Sequence, residues 1–318
     1  MNRKALKRIP LEKLMDLKID YAFKQLFGSE KNKAITVVFL NAILKRTGRD
    51  NVKEITFKNV EIGGEYYGDK QSRLDLLVQT QDNQQVNVEI QFTNKYDMVK
   101  RSIYYWSQLY SDQLIKSMSY IELNATITVN ILNFILFPKT DLFHTTYHLY
   151  EDEEKFRMDD MMEFHFIEIP KLLQHWKDER LDPLNDVLAR WLLLLGIVDH
   201  RKGQVYEDIY KELEEIAMKD EHLLGAFTSW EELSSTPDGL LAYRTRLKQV
   251  MDEEAAVKEA KIREQVALEK GVEQGTQTAN ENTACNLLEM KMGIQDISKA
   301  TGLSVEHVAS LKEKNGTE

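Results

Sequence analysis

A single cysteine, Cys285, occurs in 318 residues, so the chain can form neither an internal disulfide nor a thiolate-based zinc site. Nothing in that count calls for an oxidising compartment, and the cytoplasm is the expected location. Proline is scarce, at 5, and glycine modest, at 14, which excludes collagen-like and low-complexity architectures. Long apolar runs are also missing. The longest, residues 191–198, falls far short of the roughly 18 apolar residues that span a membrane as a helix, and no membrane partner is expected. The opening MNRKALKRIP is basic but lacks the apolar stretch of a secretory signal. There is no glycine-rich phosphate loop, no GxSxG elbow and no HExxH helix, which removes the common NTPase, serine-hydrolase and zincin readings. No small-molecule organic cofactor is expected.

What is present reads as a helix-rich globular protein, with 42% hydrophobic and 30% charged residues. The formal net charge of −10 argues against a polyanionic partner only on average. Residues 1–120 carry 20 Lys+Arg against 14 Asp+Glu, net +6, whereas residues 121–318 carry 22 against 38, net −16. A nucleic acid would therefore be received by the N-terminal part.

Apolar residues recur at helical spacing over 20–27 and 34–44. Short β-branched segments follow at 52–62, 73–80 and 85–92, and a helix is predicted over 97–118. Its apolar stripe of Val99, Ile103, Trp106 and Tyr110 leaves Asp97, Arg101, Tyr105, Gln108 and Asp112 on another face. Further strands are predicted at 127–137, 143–150 and 164–169. Residues 1–170 thus read as one mixed α/β domain. Residues 171–270 read as a helical region, with helices at 181–198, 206–218 and 240–269 and an interruption at Gly271 and Gly275. Residues 271–318 read as a C-terminal helical hairpin of helix-turn-helix type, with Thr301-Gly302-Leu303 as the turn and Ser304 as an N-cap. Its second helix offers cations only at its far end, Lys312 and Lys314, so it reads as a packing or self-association element rather than a DNA reader.

The segments that carry chemistry are RLDLLV at 73–78 and VNVEIQF at 86–92. In the second, Val86, Val88, Ile90 and Phe92 alternate with Asn87, Glu89 and Gln91, so a strand would bury the first set and align the second. In the first, Asp75 interrupts an apolar run, a costly place for an unpaired carboxylate. A hairpin centred near Asp82 sets Asp75 opposite Glu89, where directly opposed residues have Cβ atoms about 4.5–5.5 Å apart. Two carboxylates so close call for a shared proton or a bound cation, and hard oxygen ligands suit Mg²⁺ or Mn²⁺. Such an ion would support metal-assisted phosphodiester hydrolysis.

These residues also carry a family resemblance. DLKIDYAFKQLFG (16–28), RLDLLV, VEIQ (88–91) and RSIYYWSQLY (101–110) occur in the order found in the Rpn family of recombination-promoting nucleases and transposases, a branch of the PD-(D/E)XK nuclease superfamily that this chain resembles. The resemblance implies a restriction-endonuclease-like α/β fold, a mixed sheet core flanked by helices and followed by an all-helical C-terminal region. It implies Asp75 and Glu89 as metal ligands and catalytic residues, Gln91 in the position of the superfamily lysine, and Asp20 as an accessory metal-binding acid on the first helix. Glutamine brings only neutral hydrogen bonds to that position. The expected DNA contacts are Arg101, Lys24 and Arg73. Read without the family pattern, Asp75 could ion-pair with a basic neighbour, Glu89 and Gln91 could form a solvated strand face, and Asp20 could be an ordinary N-cap.

His144 and His148 lie four apart in a strand-like segment with no third ligand in view, so no zinc site is expected and the histidines are read as structural. The expected function is a divalent-metal-dependent DNA endonuclease associated with recombination or mobile elements. A homodimer is suggested by the need to cut two strands. The alternative is a degenerate nuclease core serving as a DNA-binding or oligomerisation module.

Overall fold

The computed structural model describes residues 9–59, 61–62, 72–94 and 97–314. By contacts it divides into two compact units, Met1–Asp252 and Glu253–Glu318. Among the described residues, no helix is long and apolar enough to cross a membrane.

The first unit opens with α1 (Asp20–Phe27) and α2 (Lys33–Leu44), followed by β1 (Ile55–Phe57), β2 (Glu61–Ile62), β3 (Ser72–Arg73), β4 (Leu76–Thr80) and β5 (Gln85–Gln91). Helix α3 (Met98–Ser111) crosses to β6 (Thr126–Leu132), and β7 (His144–Tyr147) and β8 (Met162–Glu168) complete the sheet. The main sheet has the order β1-β4-β5-β6-β8-β7. β5, β6 and β8 run parallel and the outer pairings are antiparallel. A parallel β5–β6 pair needs a long crossover, and α3 supplies it.

The two sheet faces differ in chemistry. Val86, Val88 and Ile90 of β5 join Val78, Ile127, Val129 and Ile131 in a large core with α1, α2 and the later helices α4 (Ile169–Lys177), α5 (Val187–Gly196), α6 (Glu207–Ala217) and α7 (Glu221–Ser235). Helix α5 is buried over every residue from Leu188 to Gly196, and its one charged side chain, Arg190, pairs with Asp220 at 2.6 Å. Rings from α1, α2 and α5 knit this core, with Phe27 stacked on Phe39 at 4.3 Å and Trp191 edge-on to Phe39 at 6.2 Å.

The opposite face lies under α3, which buries Met98, Ser102, Tyr105 and Leu109. This corrects the expected stripe: Ile103 is exposed, and Val99, Trp106 and Tyr110 are only partly covered. The reason lies in the sheet, which offers α3 polar groups as well as apolar ones. Asn130 of β6 donates to the Ser102 hydroxyl at 2.9 Å, fixing the helix over its strand.

The core runs without a break from Leu14 to Val250, so the contacts do not divide the chain near residue 170. The helices after β8 bury their apolar sides on the same core as the strands. Residue 270 falls inside α8 (Pro237–Glu289). Gly271 and Gly275 do not interrupt that helix. Each costs about 1 kcal/mol relative to alanine, and the strong helix formers around them outweigh the cost.

In the second unit, α9 (Ile294–Thr301) and α10 (Val305–Lys314) form the expected hairpin. Gly302 takes the left-handed conformation, φ 72°, that ends α9, and the Ser304 hydroxyl accepts the His307 amide at 3.1 Å as the N-cap. Ala284, Leu288, Ile297 and Val308 form this unit's own small core.

Candidate active site

The β4–β5 register pairs Leu76 with Val88, Leu77 with Asn87 and Val78 with Val86. Just before β4, where the ladder ends, Asp75 lies beside Glu89, the neighbour that the hairpin centred on Asp82 sets opposite it. The Asp75 amide donates to Glu89 Oε1 at 3.2 Å, and the Ile90 amide donates to Asp75 Oδ2 at 2.9 Å. Each carboxylate is thereby tied to the backbone of the other strand. Both are buried, Asp75 at 8% and Glu89 at 1% exposure, because α3 covers the face that a two-layer hairpin would leave in water.

Burial dominates the electrostatics. It raises the Asp75 carboxyl above its ordinary range against the pull of Lys24. Burial, followed by the Asp75 charge, pushes Glu89 up to about 8 against the pull of Arg101. Two acids held this way favour a proton or a cation between them.

Three cationic side chains converge on the acids. Lys24 of α1 places Nζ 2.9 Å from Asp75 Oδ1. Expected among the DNA contacts, Lys24 stays about 29% exposed while its ammonium pairs with the carboxylate. Arg101 of α3 donates through Nη1 to Gln91 Oε1 at 2.8 Å, approaches Glu89 Oε2 with Nη2 at 3.4 Å, and donates through Nε to the Tyr105 hydroxyl at 3.0 Å. Its guanidinium lies 5.1 Å from the centre of the Tyr105 ring. Gln91 in turn donates to Glu89 Oε2 at 3.3 Å. Arg246, on the first part of α8, donates through Nε to both oxygens of Asp20 at 2.7 and 2.9 Å.

Asp20 is therefore the first residue of α1 but not its cap, which falls at Ile19. Its carboxylate also accepts the Tyr21 amide at 2.9 Å. Among the described residues, no group of three or more His, Cys, Asp or Glu side chains is placed to hold a metal ion. Asp20, the expected third ligand, is engaged by Arg246, and its charge also reaches Asp75. Arg73, also expected to touch DNA, has its side chain outside the described residues.

One row inward on the same sheet face, Asn87 is fully buried and neither atom of its amide has a hydrogen-bond partner in the structure. Asp16 and Lys18, from the first expected motif, form a separate buried pair at 2.8 Å. Lys18 Nζ also reaches the Val198 and Leu195 carbonyls, and the second Asp16 oxygen accepts the His200 amide at 3.1 Å. That pair fastens the entry to α1 to the helical layer and takes no part in the carboxylate site.

A protein-family profile described as PD-(D/E)XK nuclease family transposase matches residues 17–260. The chain belongs to that family. Searches of curated proteins and of solved structures return no match. The nuclease-transposase match begins just before Asp20 and ends beyond Arg246, so every side chain of the site lies inside it. The residue that sequence reasoning missed is Arg246. It lies 226 positions from its partner Asp20, and nothing local to an exposed, charged helix distinguishes it from its neighbours.

The donor set fits a divalent cation of the hard class. Such ions bind through one or two carboxylates and complete their shells with water and substrate phosphate, and Asp75 and Glu89 are a buried pair whose ionisation a cation would favour. Asp75 and Glu89 are the groups that would hold it.

Proposed function

We propose that this nuclease-family transposase is a divalent-metal-dependent DNA endonuclease that hydrolyses phosphodiester bonds in recombination or in the life of a mobile element. The observation that carries the reading is the buried Asp75–Glu89 pair on adjacent strands, with the Lys24 ammonium on one acid. A bound Mg²⁺ or Mn²⁺ would supply charge stabilisation on the scissile phosphate and a water of lowered pKa. Asp75 and Glu89 would hold that ion, whose charge would offset the burial that raises both carboxyls. Gln91 anchors through one N–H to Glu89 and has a second to orient water. Lys24 provides the fixed positive charge that the strand lacks at Gln91, and Arg101 retains donors for a phosphate oxygen. The net-positive residues 1–120 supply the electrostatic footprint for DNA.

A second reading, a degenerate core that binds DNA or self-associates without cutting, is favoured by one observation: Asp75, Glu89 and Asp20 each already contact a cationic side chain. Isothermal titration separates the two. Mn²⁺ or Mg²⁺ binding to the wild type that disappears in Asp75→Ala supports the endonuclease. Heats that are the same in both proteins, or absent from both, remove its mechanism and leave the binding module.

A further inference from the structure

A second polar constellation lies in the first unit, at the turn end of the hairpin whose far end carries the acids. There a cleft of about 880 Å³ opens between the end of α2, the start of β7 and the start of α5, within the size range of small-molecule sites. Part of its lining is apolar, with Leu142, Phe143 and Leu188 among the residues that form it.

Two cations line it without a carboxylate partner. Lys45 caps α2 in the left-handed conformation, φ 51°, and its ammonium makes no hydrogen bond or ion pair among the described residues. The Arg46 guanidinium donates to a neutral group, Gln84 Oε1, at 2.6 Å, and its charge also helps hold the Glu163 carboxyl below its ordinary range.

Two acceptors line it as well. His144 Nε2 lies 2.8 Å from His165 Nδ1, and His165 Nε2 lies 2.6 Å from Glu163 Oε1. A carboxylate accepts, so His165 Nε2 carries a proton, and its Nδ1 is assigned the lone pair. His144 then donates through Nε2, and its Nδ1 is left as an acceptor. That atom is buried and has no partner, and the same is true of Asn51 Oδ1. Burial above all, with the neighbouring His165 and Lys45, pushes the His144 ring down to about 3, so it acts as a hydrogen-bond acceptor rather than as a base.

An apolar wall, two open acceptors and two unpaired cations call for a ligand with a flat apolar body, hydrogen-bond donors and a phosphate. We propose that the cleft binds a nucleoside monophosphate unit, either free or as the phosphorylated end of a nucleic-acid strand. The phosphate lies on Lys45 and Arg46, and sugar or base donors meet His144 Nδ1 and Asn51 Oδ1. The site shares no residue with the Asp75–Glu89 pair and stands independently of the endonuclease reading.

Isothermal titration of the full chain with adenosine 5′-monophosphate, adenosine and inorganic phosphate tests this. The nucleotide is expected to bind at least about 10-fold more tightly than either fragment, the equivalent of about 1.4 kcal/mol. In Lys45→Asn/Arg46→Gln, where asparagine keeps the left-handed turn, nucleotide affinity is expected to fall about 10-fold or more while adenosine affinity holds. His144→Phe is expected to weaken nucleotide and adenosine alike, and thermal melting verifies that each variant is folded. Nucleotide affinity unchanged in the double variant, inorganic phosphate binding as tightly as the nucleotide, or no binding by any probe overturns the proposal. A further pair, one DNA oligonucleotide with and without a 5′-phosphate, identifies the source. Preference for the phosphorylated oligonucleotide over the free nucleotide assigns the cleft to strand ends, and the reverse assigns it to the free nucleotide. Equal binding of the two oligonucleotides with no binding of the nucleotide contradicts both.

Discussion

Lys24 and Asp75 meet across elements 51 residues apart in sequence, with Nζ 2.9 Å from Oδ1, and this contact restores to the site a positive charge that its own strand does not carry. Two places after Glu89 its strand carries Gln91, a neutral side chain. The relationship gives the first prediction. Replacing Lys24 with glutamine removes a preorganised charge and is expected to lower the cleavage rate about 10²–10³-fold, the range for deleting one such stabilising group. Rates for Lys24→Gln within a factor of two of wild type, measured at saturating metal, would deny Lys24 the role.

The acid pair also governs pH dependence. Glu89 is raised from an ordinary 4.5 to about 8, so between these values the folded chain holds a proton that the unfolded chain has released. Stability of the metal-free protein therefore falls as pH rises through that window. Melting temperature measured from pH 5 to pH 8.5 is expected to decline, and Glu89→Gln, which cannot ionise, is expected to flatten the decline. Added Mn²⁺ is expected to raise the melting temperature more at pH 8 than at pH 5.5. A wild-type curve parallel to that of Glu89→Gln would contradict this electrostatic account.

Much of this arrangement was legible in the sequence. The alternation in residues 86–92 identified the strand, and the symmetry of 75 and 89 about 82 identified their register, because a hairpin fixes pairing by arithmetic. The mixed sheet and its family were legible for the same reason: their signals are local and ordered. The sequence did not reveal what covers the second face of the sheet. Glu89 and Asn87 alternate as a solvated face would, yet both are buried under α3, since period-2 patterning reports polarity and not the layer above. The tie between Asp20 and Arg246 was equally hidden, being a contact of high sequence separation between two polar side chains. Gly271 and Gly275 misled because a local helix cost of about 1 kcal/mol each does not outweigh a long run of strong helix formers.

That hidden tie gives a third prediction. Arg246 occupies the carboxylate that the family pattern would assign to a metal. Arg246→Ala is expected to free Asp20 and tighten Mn²⁺ binding relative to wild type, and Arg246→Ala/Asp20→Asn is expected to return it to the wild-type value. Titration calorimetry reads both. Equal affinities in all three proteins would show that Asp20 stands outside the metal's reach.

The Asp16–Lys18 pair gives a fourth. Both side chains are essentially inaccessible, so Lys18→Met leaves an uncompensated buried carboxylate and is expected to cost about 3–5 kcal/mol. Denaturant unfolding measures the loss, with the midpoint moving and the slope held. A change below about 1 kcal/mol would place the pair among ordinary surface contacts.

The central claim is that Asp75 and Glu89 together make a metal-dependent cutting site. Conversion of supercoiled plasmid to nicked and linear DNA tests it most directly, with wild type, Asp75→Ala and Glu89→Ala compared in Mg²⁺, in Mn²⁺ and in EDTA. The account predicts cleavage by the wild type in metal alone and none by either variant. Absence of cleavage by the wild type, or cleavage that survives both substitutions, would contradict it.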